Sequence, residues 1–147
     1  MSSISVYMIK HHKHCDEVFV RAEEAVSKAK WSDAERSTEE FLRAMKGHFA
    51  VEEKVLFPVF EERTGMTMGP TQVMRMEHDQ MRGVLDQMGA ALVAKDADEF
   101  LGLSETLLVL MQQHNMKEEG VLYPMIDQAL GAEADQLIAR AEAELLQ

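Results

Sequence analysis

The chain has 147 residues, with 26 acidic and 15 basic side chains and a formal net charge of -11. This balance argues against a nucleic-acid partner and against docking on an anionic membrane, because both need a cationic face. The single cysteine, Cys15, excludes an intrachain disulfide. No segment approaches the roughly 18 apolar residues of a transmembrane helix, and the N-terminus lacks the apolar core of a secretion signal. We predict a cytoplasmic protein with one domain over residues 1–147.

Helix-forming residues dominate, and four breaks divide the chain. Ser32 with Glu35 is typical of a capping box, the stretch 63–70 holds two glycines and a proline, an aspartate within 95–98 suits an N-cap, and Gly131 suits a helix C-terminus. The breaks predict helices near residues 4–30, 33–63, 71–95 and 98–130, and a short tail helix near 133–146. Short connections favour antiparallel neighbours, so we predict an all-α, up-down-up-down four-helix bundle.

Each long helix carries an apolar stripe at alternating spacings of three and four residues, which is the pattern of a bundle-facing surface. On the second helix the stripe extends to Val55 and Val59, and on the fourth to Val121 and Met125. Four histidines and two glutamates interrupt these stripes. They are His12, His48, Glu52, His78, His114 and Glu118.

The six interruptions recur at one interval of 66 residues. The interval pairs His12 with His78, His48 with His114, and Glu52 with Glu118. Residues 48–58 (HFAVEEKVLFP) and 114–124 (HNMKEEGVLYP) are identical at six of eleven positions. We interpret the chain as two helix-pair halves, 5–63 and 71–130, which an approximate twofold axis relates in the bundle.

A cation site would explain why carboxylates and imidazoles face an apolar interior. Residues four apart lie on one helix face, so His48 projects with Glu52 and His114 with Glu118. Burying an unpaired carboxylate costs several kcal/mol or neutralises it. Imidazole and carboxylate together suit iron, zinc or manganese. Six ligands exceed the need of one ion, so we predict two ions that share the glutamates and leave a position open for a small molecule.

Two other interpretations of the six residues stay open: a metal-free network of buried His–Glu ion pairs, and a zinc or manganese pair. Their polar neighbours are expected to lie outside the ligand set, although one of the two extra histidines could replace His12. Cys15 is expected to be a small core residue, and Pro58 and Pro124 to kink their helices. The neighbours expected to be solvated, supporting or packed are Tyr7, His11, His14, Glu53, Glu119 and Tyr123.

These motifs resemble the hemerythrin-like family of HHE cation-binding domains over about residues 5–130. The matching motifs, in chain order, are HHKHCD with His12, HFAVEEKVLFP with His48 and Glu52, MEHDQMR with His78, and HNMKEEGVLYP with His114 and Glu118. The resemblance implies a four-helix bundle that holds two iron ions in a non-haem diiron centre with an oxo or hydroxo bridge. It also implies that these six residues are the metal ligands.

The sequence departs from the oxygen-carrying hemerythrins at two places. Met74 stands where they have a fifth histidine, and Glu119 stands where they have an aspartate. The pattern is similar to the family's four-His, two-Glu branch, which includes iron-cluster repair and nitric-oxide-linked members. The resemblance therefore implies binding of O2, NO or peroxide, in stress response or iron handling, with reduction of peroxide or NO left open.

Two alternatives to this function remain at this point. One is a non-catalytic sensor or an iron donor for iron–sulfur cluster repair, and the other is a metal that only stabilises the fold. The amphipathic tail helix could cap the bundle or form a dimer contact. The sequence is therefore compatible with a monomer or a homodimer.

Overall fold

A computed structural model describes residues 3–147, in which all regular structure is helical. The elements are α1 Ile4–Ser27, α2 Trp31–Val51, a π turn Glu52–Leu56, α3 Phe57–Thr64, α4 Pro70–Val93, α5 Ala97–Lys117, a second π turn Glu118–Leu122, α6 Tyr123–Leu130, a 3-10 turn Gly131–Glu133 and α7 Ala134–Leu145. Four long helical rods are formed by α1, by α2 with α3, by α4, and by α5 with α6, and α7 follows them.

The all-α bundle predicted from the sequence is confirmed. α1 packs against α2, α4 packs against α5, and α1 and α2 also contact α5 and α4 respectively. The two halves match element by element, since Ile4 begins α1 and Pro70 begins α4, and Val51 ends α2 and Lys117 ends α5. No helix among the described residues is both long and apolar enough to cross a membrane.

The start of α2 differs from the prediction. The helix begins at Trp31, and Lys30 before it makes no side-chain capping bond, so the capping box of Ser32 and Glu35 is wrong. The backbone closes this connection instead. Ala29 adopts a left-handed conformation with φ 54°, and the N–H of Lys30 donates back into α1.

Three other helix ends can be compared with the sequence. The aspartate N-cap predicted for the fourth helix is confirmed, because Asp96 accepts a hydrogen bond from the N–H of Glu99 at 3.1 Å. Gly131 ends α6 as predicted, but with a right-handed φ of -55° that continues into the 3-10 turn. The glycine that needs a left-handed conformation is Gly65, with φ 73°, at the end of α3.

Both rods that carry a glutamate of the polar set contain one π turn. A proline lies just after each π turn: Pro58 is the second residue of α3, and Pro124 is the second residue of α6. Proline lacks an N–H, and in a regular α-helix its ring clashes with the carbonyl four residues earlier. A π turn widens the helix by one residue and removes that conflict. The distortion predicted at the prolines therefore takes the form of a π turn.

The π turns shift the buried face by one residue, although Val55, inside the first π turn, is buried as predicted. Val121 was predicted to face the bundle but is 55% exposed, whereas Leu122 and Ile126 are buried. In the other half, Val59 is only partly buried and Phe60 is buried. The prediction for Val121 is wrong because it continued the α-helical spacing through the second π turn, in which Leu122 takes the buried position.

A pair of alanine substitutions tests this register. Leu122→Ala is expected to lower the free energy of unfolding by about 2–5 kcal/mol, because it removes a buried side chain. Val121→Ala is expected to change it by less than about 0.5 kcal/mol, because that side chain lies at the surface. Urea unfolding of both variants measures the difference. A larger loss at Val121 would contradict the π turn.

The core has two apolar clusters with a polar layer between them. Along α1, Met8 belongs to one cluster and Cys15 to the other, and His12 lies between them. Along α4, His78 separates Met74 from Met81 in the same way. Buried residues of α7, including Leu137 and Ala141, join the cluster that contains Met8. The polar layer is therefore enclosed by apolar side chains on both sides.

Candidate metal centre

The six polar residues of the stripes meet in this layer. All six residues are buried, with at most 4% of each exposed. α1, α2, α4 and α5 each supply one histidine, and each π turn supplies a glutamate as its first residue. In chain order they are His12, His48, Glu52, His78, His114 and Glu118. The structure places His12 in the layer, whereas His14 is exposed and His11 is partly buried beside it.

Potential ligand atoms form two groups that share one carboxylate. One group holds four residues and the other three, and within each the atoms lie within 4.8 Å of one another. The groups are Glu52, His78, His114 and Glu118, and His12, His48 and Glu118. Glu52 also approaches the second group, because its Oε1 lies 3.3 Å from Nε2 of His48. Both carboxylates therefore lie between the halves of the bundle.

Three of the four imidazoles donate a hydrogen bond from their outer nitrogen to a carboxylate. The pairs are His12 Nδ1 with Glu119 at 2.6 Å, His78 Nδ1 with Glu53 at 2.6 Å, and His114 Nδ1 with Glu77 at 2.8 Å. A proton held on Nδ1 leaves the lone pair of the neutral ring on Nε2, which faces the layer. Each of these rings therefore presents its Nε2 to the polar layer.

The outer carboxylates are themselves held by cations. Arg82 donates to Glu53 at 2.7 Å, and Lys117 forms an ion pair with Glu77. Burial alone would raise the pKa of Glu53, but hydrogen bonds from His78 and Arg82 outweigh it and lower the pKa to about 2. The pKa of Glu77 is also lowered, because its contacts with Lys117 and an imidazole outweigh burial. Glu53 therefore lies outside the polar layer and supports His78 from there, which is one of the two roles expected for it, solvated or supporting.

Two further residues belong to the site. Glu77, which precedes His78 and contacts a different histidine, was not singled out from the sequence. Tyr123 was expected to be a packed residue, and it is fully buried, but its hydroxyl also contacts the polar layer. Its buried hydroxyl lies 2.7 Å from Oε2 of Glu52 and 2.9 Å from Oε1 of Glu118, and it donates its single proton to one of them. The signal available for Tyr123 was the Tyr-Pro pair that follows the His-x-x-x-Glu motif.

The charged groups of the polar layer shift one another's pKa values. Burial would raise the pKa of Glu118, but its contacts with the imidazoles of His114, His12 and His48 outweigh burial and hold the pKa well below its ordinary value. Burial would lower the pKa of His48, but Glu52 and Glu118 raise it well above the ordinary value. Burial and the same two carboxylates raise the pKa of the Tyr123 phenol, so it stays protonated. Buried carboxylates here require positive charge from protons or metal ions.

The residues fit a bound metal ion. Nε2 of His114 and Oε2 of Glu118 are buried, and neither has a hydrogen-bond partner in the described chain. A buried lone pair without a donor is costly, and a cation satisfies it. The donor set of imidazole nitrogen and carboxylate oxygen suits iron, zinc or manganese. The described residues therefore provide a buried His/Glu metal-site cluster.

An all-helical bundle that encloses such a cluster defines a class of helical cation-binding proteins. The family model described as the hemerythrin HHE cation binding domain matches residues 3–126. The match covers most of the chain, so this protein belongs to the hemerythrin family, and the predicted resemblance is confirmed. The chain has no significant match to a curated protein or to a solved structure.

Proposed function

We propose that this protein is a non-haem diiron protein that binds O2, NO or peroxide. The observation that carries the proposal is the pair of ligand groups that share Glu118. Two ions with one carboxylate in common need this arrangement, and Glu52 is close enough to both groups to serve as a second bridge. The proposed ligands are His12, His48, Glu52, His78, His114 and Glu118.

An iron pair would supply redox-active Lewis acids that coordinate a small oxidant. The protein contributes a buried and closely packed enclosure. Phe49 and Phe57 stack on His78 with ring centroids 4.2 and 5.9 Å away, and the apolar clusters close the layer above and below. This enclosure favours a diatomic molecule or peroxide over a larger substrate. Tyr123 holds a proton 2.7 Å from Oε2 of Glu52, at the edge of the same space.

Metal analysis tests this proposal. Protein purified without chelator is expected to contain about two irons per chain, since six protein ligands exceed the need of one ion. Its oxidised form is expected to absorb in the near ultraviolet through an oxo-to-iron transition. Well-folded protein with substoichiometric iron after anaerobic loading would contradict the proposal. Zinc or manganese at full occupancy would instead identify a different metal pair.

One observation favours the alternative of an iron donor or sensor. Nδ1 of His48 is buried and has no hydrogen-bond acceptor among the described residues, so one candidate ligand lacks outer support. Rapid multiple turnover of peroxide or NO by the iron-loaded protein would support a reductase in stress defence. Transfer of iron to an apo acceptor without turnover would support the donor, and a ligand-dependent spectral change alone would support the sensor.

Replacement of an outer carboxylate tests how the ligands are oriented. Glu53→Gln is expected to weaken metal binding roughly tenfold to hundredfold, because it removes the charge that orients His78 and increases its basicity. Glu62→Gln, which changes an exposed glutamate of α3, is the matched control. Competition with a chromophoric chelator measures both affinities. Equal affinities in the two variants would contradict this role of Glu53.

Metal binding is expected to weaken as the pH falls. The metal affinity should still change with pH in the neutral range. Burial alone would lower the pKa values of His48 and His78, but the neighbouring carboxylates raise both above 6.5. In the metal-free protein these rings therefore keep their proton to a higher pH than a free imidazole does, and a metal ion must displace that proton. Each proton released lowers the apparent affinity up to about tenfold per pH unit of acidification. Chelator competition at about pH 6, 7 and 8 measures this slope, and a flat profile would contradict it.

A further inference from the structure

The outer hydrogen bonds of the four imidazoles are not symmetric. His48 and His114 are counterparts in the two halves, and both face the layer through Nε2. Nδ1 of His114 donates to Glu77 at 2.8 Å, whereas the buried Nδ1 of His48 has no acceptor in the described chain. The two halves of the site therefore support their histidines differently.

The cause lies in one substitution between the halves. The residue 66 positions before Glu77 is His11, and its ring centroid lies 6.2 Å from that of His48. An imidazole at this place brings no carboxylate to His48. Lys117, which pairs with Glu77, has the buried apolar Val51 as its counterpart. The charged pair of one half is thus replaced by uncharged side chains in the other.

The surroundings of His11 also differ from those of Glu77. His11 stacks on Tyr7 with ring centroids 4.6 Å apart, and it lines a cavity of about 340 Å³ together with Gly47 and Leu145. A Cβ atom at Gly47 would stand 2.9 Å from Leu145, so glycine permits the close approach of α7 on this side. The counterpart of Gly47 is Gln113. The tail helix therefore adds contacts here without supplying an acceptor for His48.

We propose that the two cation positions are inequivalent and that His11 sets the difference. The position formed with His78 and His114 binds first and tightly, and the position formed with His12 and His48 binds second and releases first. A carboxylate on the outer nitrogen orients a ligand imidazole and raises its basicity, and its loss costs about 10- to 100-fold in metal affinity. This inference rests on the proposed function, because it requires two cations. His11 is then a positioning residue that acts through His48, because it occupies the place from which a carboxylate would orient that ring.

A matched pair of ligand substitutions tests the order of binding. Anaerobic titration with ferrous iron in the presence of a competing chelator is expected to resolve two constants in the native chain, about 10- to 100-fold apart. His48→Ala should keep one ion at the tighter constant, and His114→Ala should keep one ion at the weaker constant. Equal losses in the two variants, or the reverse order, would overturn the inference.

Restoring the carboxylate tests His11 without removing a ligand. His11→Glu is expected to strengthen the weaker constant about tenfold or more and to leave the tighter constant unchanged. His14→Glu adds the same charge at an exposed position of the same helix and is expected to change neither constant. An unchanged weaker constant in His11→Glu would overturn the role of His11. Two equal constants in the native chain would overturn this inference alone, whereas binding of fewer than two ions would overturn the diiron proposal as well.

Discussion

Glu118→Gln is expected to reduce the metal content from about two ions per chain to less than one, the largest loss from a single charge. Glu118 is the one residue shared by both ligand groups. Its Oε1 lies 3.0 Å from Nε2 of His12, 3.3 Å from that of His114 and 3.8 Å from that of His48. Removing one partner of a buried charged set costs about 3–5 kcal/mol. That cost corresponds to a loss of affinity greater than about 100-fold.

Two further variants make this result specific. Glu105→Gln removes the same charge from the exposed face of α5 and is expected to retain both ions. Glu52→Gln is expected to lose less metal than Glu118→Gln, because Glu118 belongs to both ligand groups whereas Glu52 belongs to the His78/His114 group and reaches the other only through His48, at 3.3 Å. Metal analysis and chelator competition measure all three variants. Two tightly bound ions in Glu118→Gln would contradict the shared-carboxylate arrangement.

Removal of the metal is expected to destabilise the bundle substantially. A cation whose Kd lies about 1,000 times below its free concentration stabilises the folded state by about 4 kcal/mol. For a chain of this size that corresponds to roughly 10 °C in Tm for each ion. The physical reason is that Glu52 and Glu118 are fully buried carboxylates whose charge needs compensation.

Calorimetry of metal-loaded and chelator-treated protein measures this difference, and metal re-addition checks that it is reversible. The metal-free chain is expected to remain helical at low temperature, because the apolar clusters on both sides of the layer persist. Complete unfolding without metal would support a purely structural site. Superimposable transitions would contradict metal binding in the polar layer.

The ligand candidates could be predicted because they depend on a local period. An α-helix returns to the same face every three or four residues, so a histidine such as His78 stands out within an apolar stripe. The 66-residue interval then links each interruption to a second one. The prediction failed at Val121, where the helix departs from the α-helical period, and a spacing argument cannot detect such a departure by itself.

The outer contacts could not be predicted from the sequence because they join different helices. Glu77 is adjacent to His78 in the chain but contacts His114. Tyr123 lies on α6 and places its hydroxyl against Glu52 of the opposite half. Both arrangements depend on how the helices are rotated and positioned against one another, which the period of a single helix does not specify.

The sequence by itself therefore determined the helical bundle and the six inward-facing polar residues, because both follow from the repeat geometry of an α-helix. Only the tertiary structure decided which carboxylate supports each imidazole and where the phenol of Tyr123 lies. It also showed that, among residues 3–147, no acceptor lies at the outer nitrogen of His48, whereas its counterpart His114 has one in Glu77. Hydrogen bonds between helices depend on distances of a few tenths of an ångström, and these distances arise only when the helices pack.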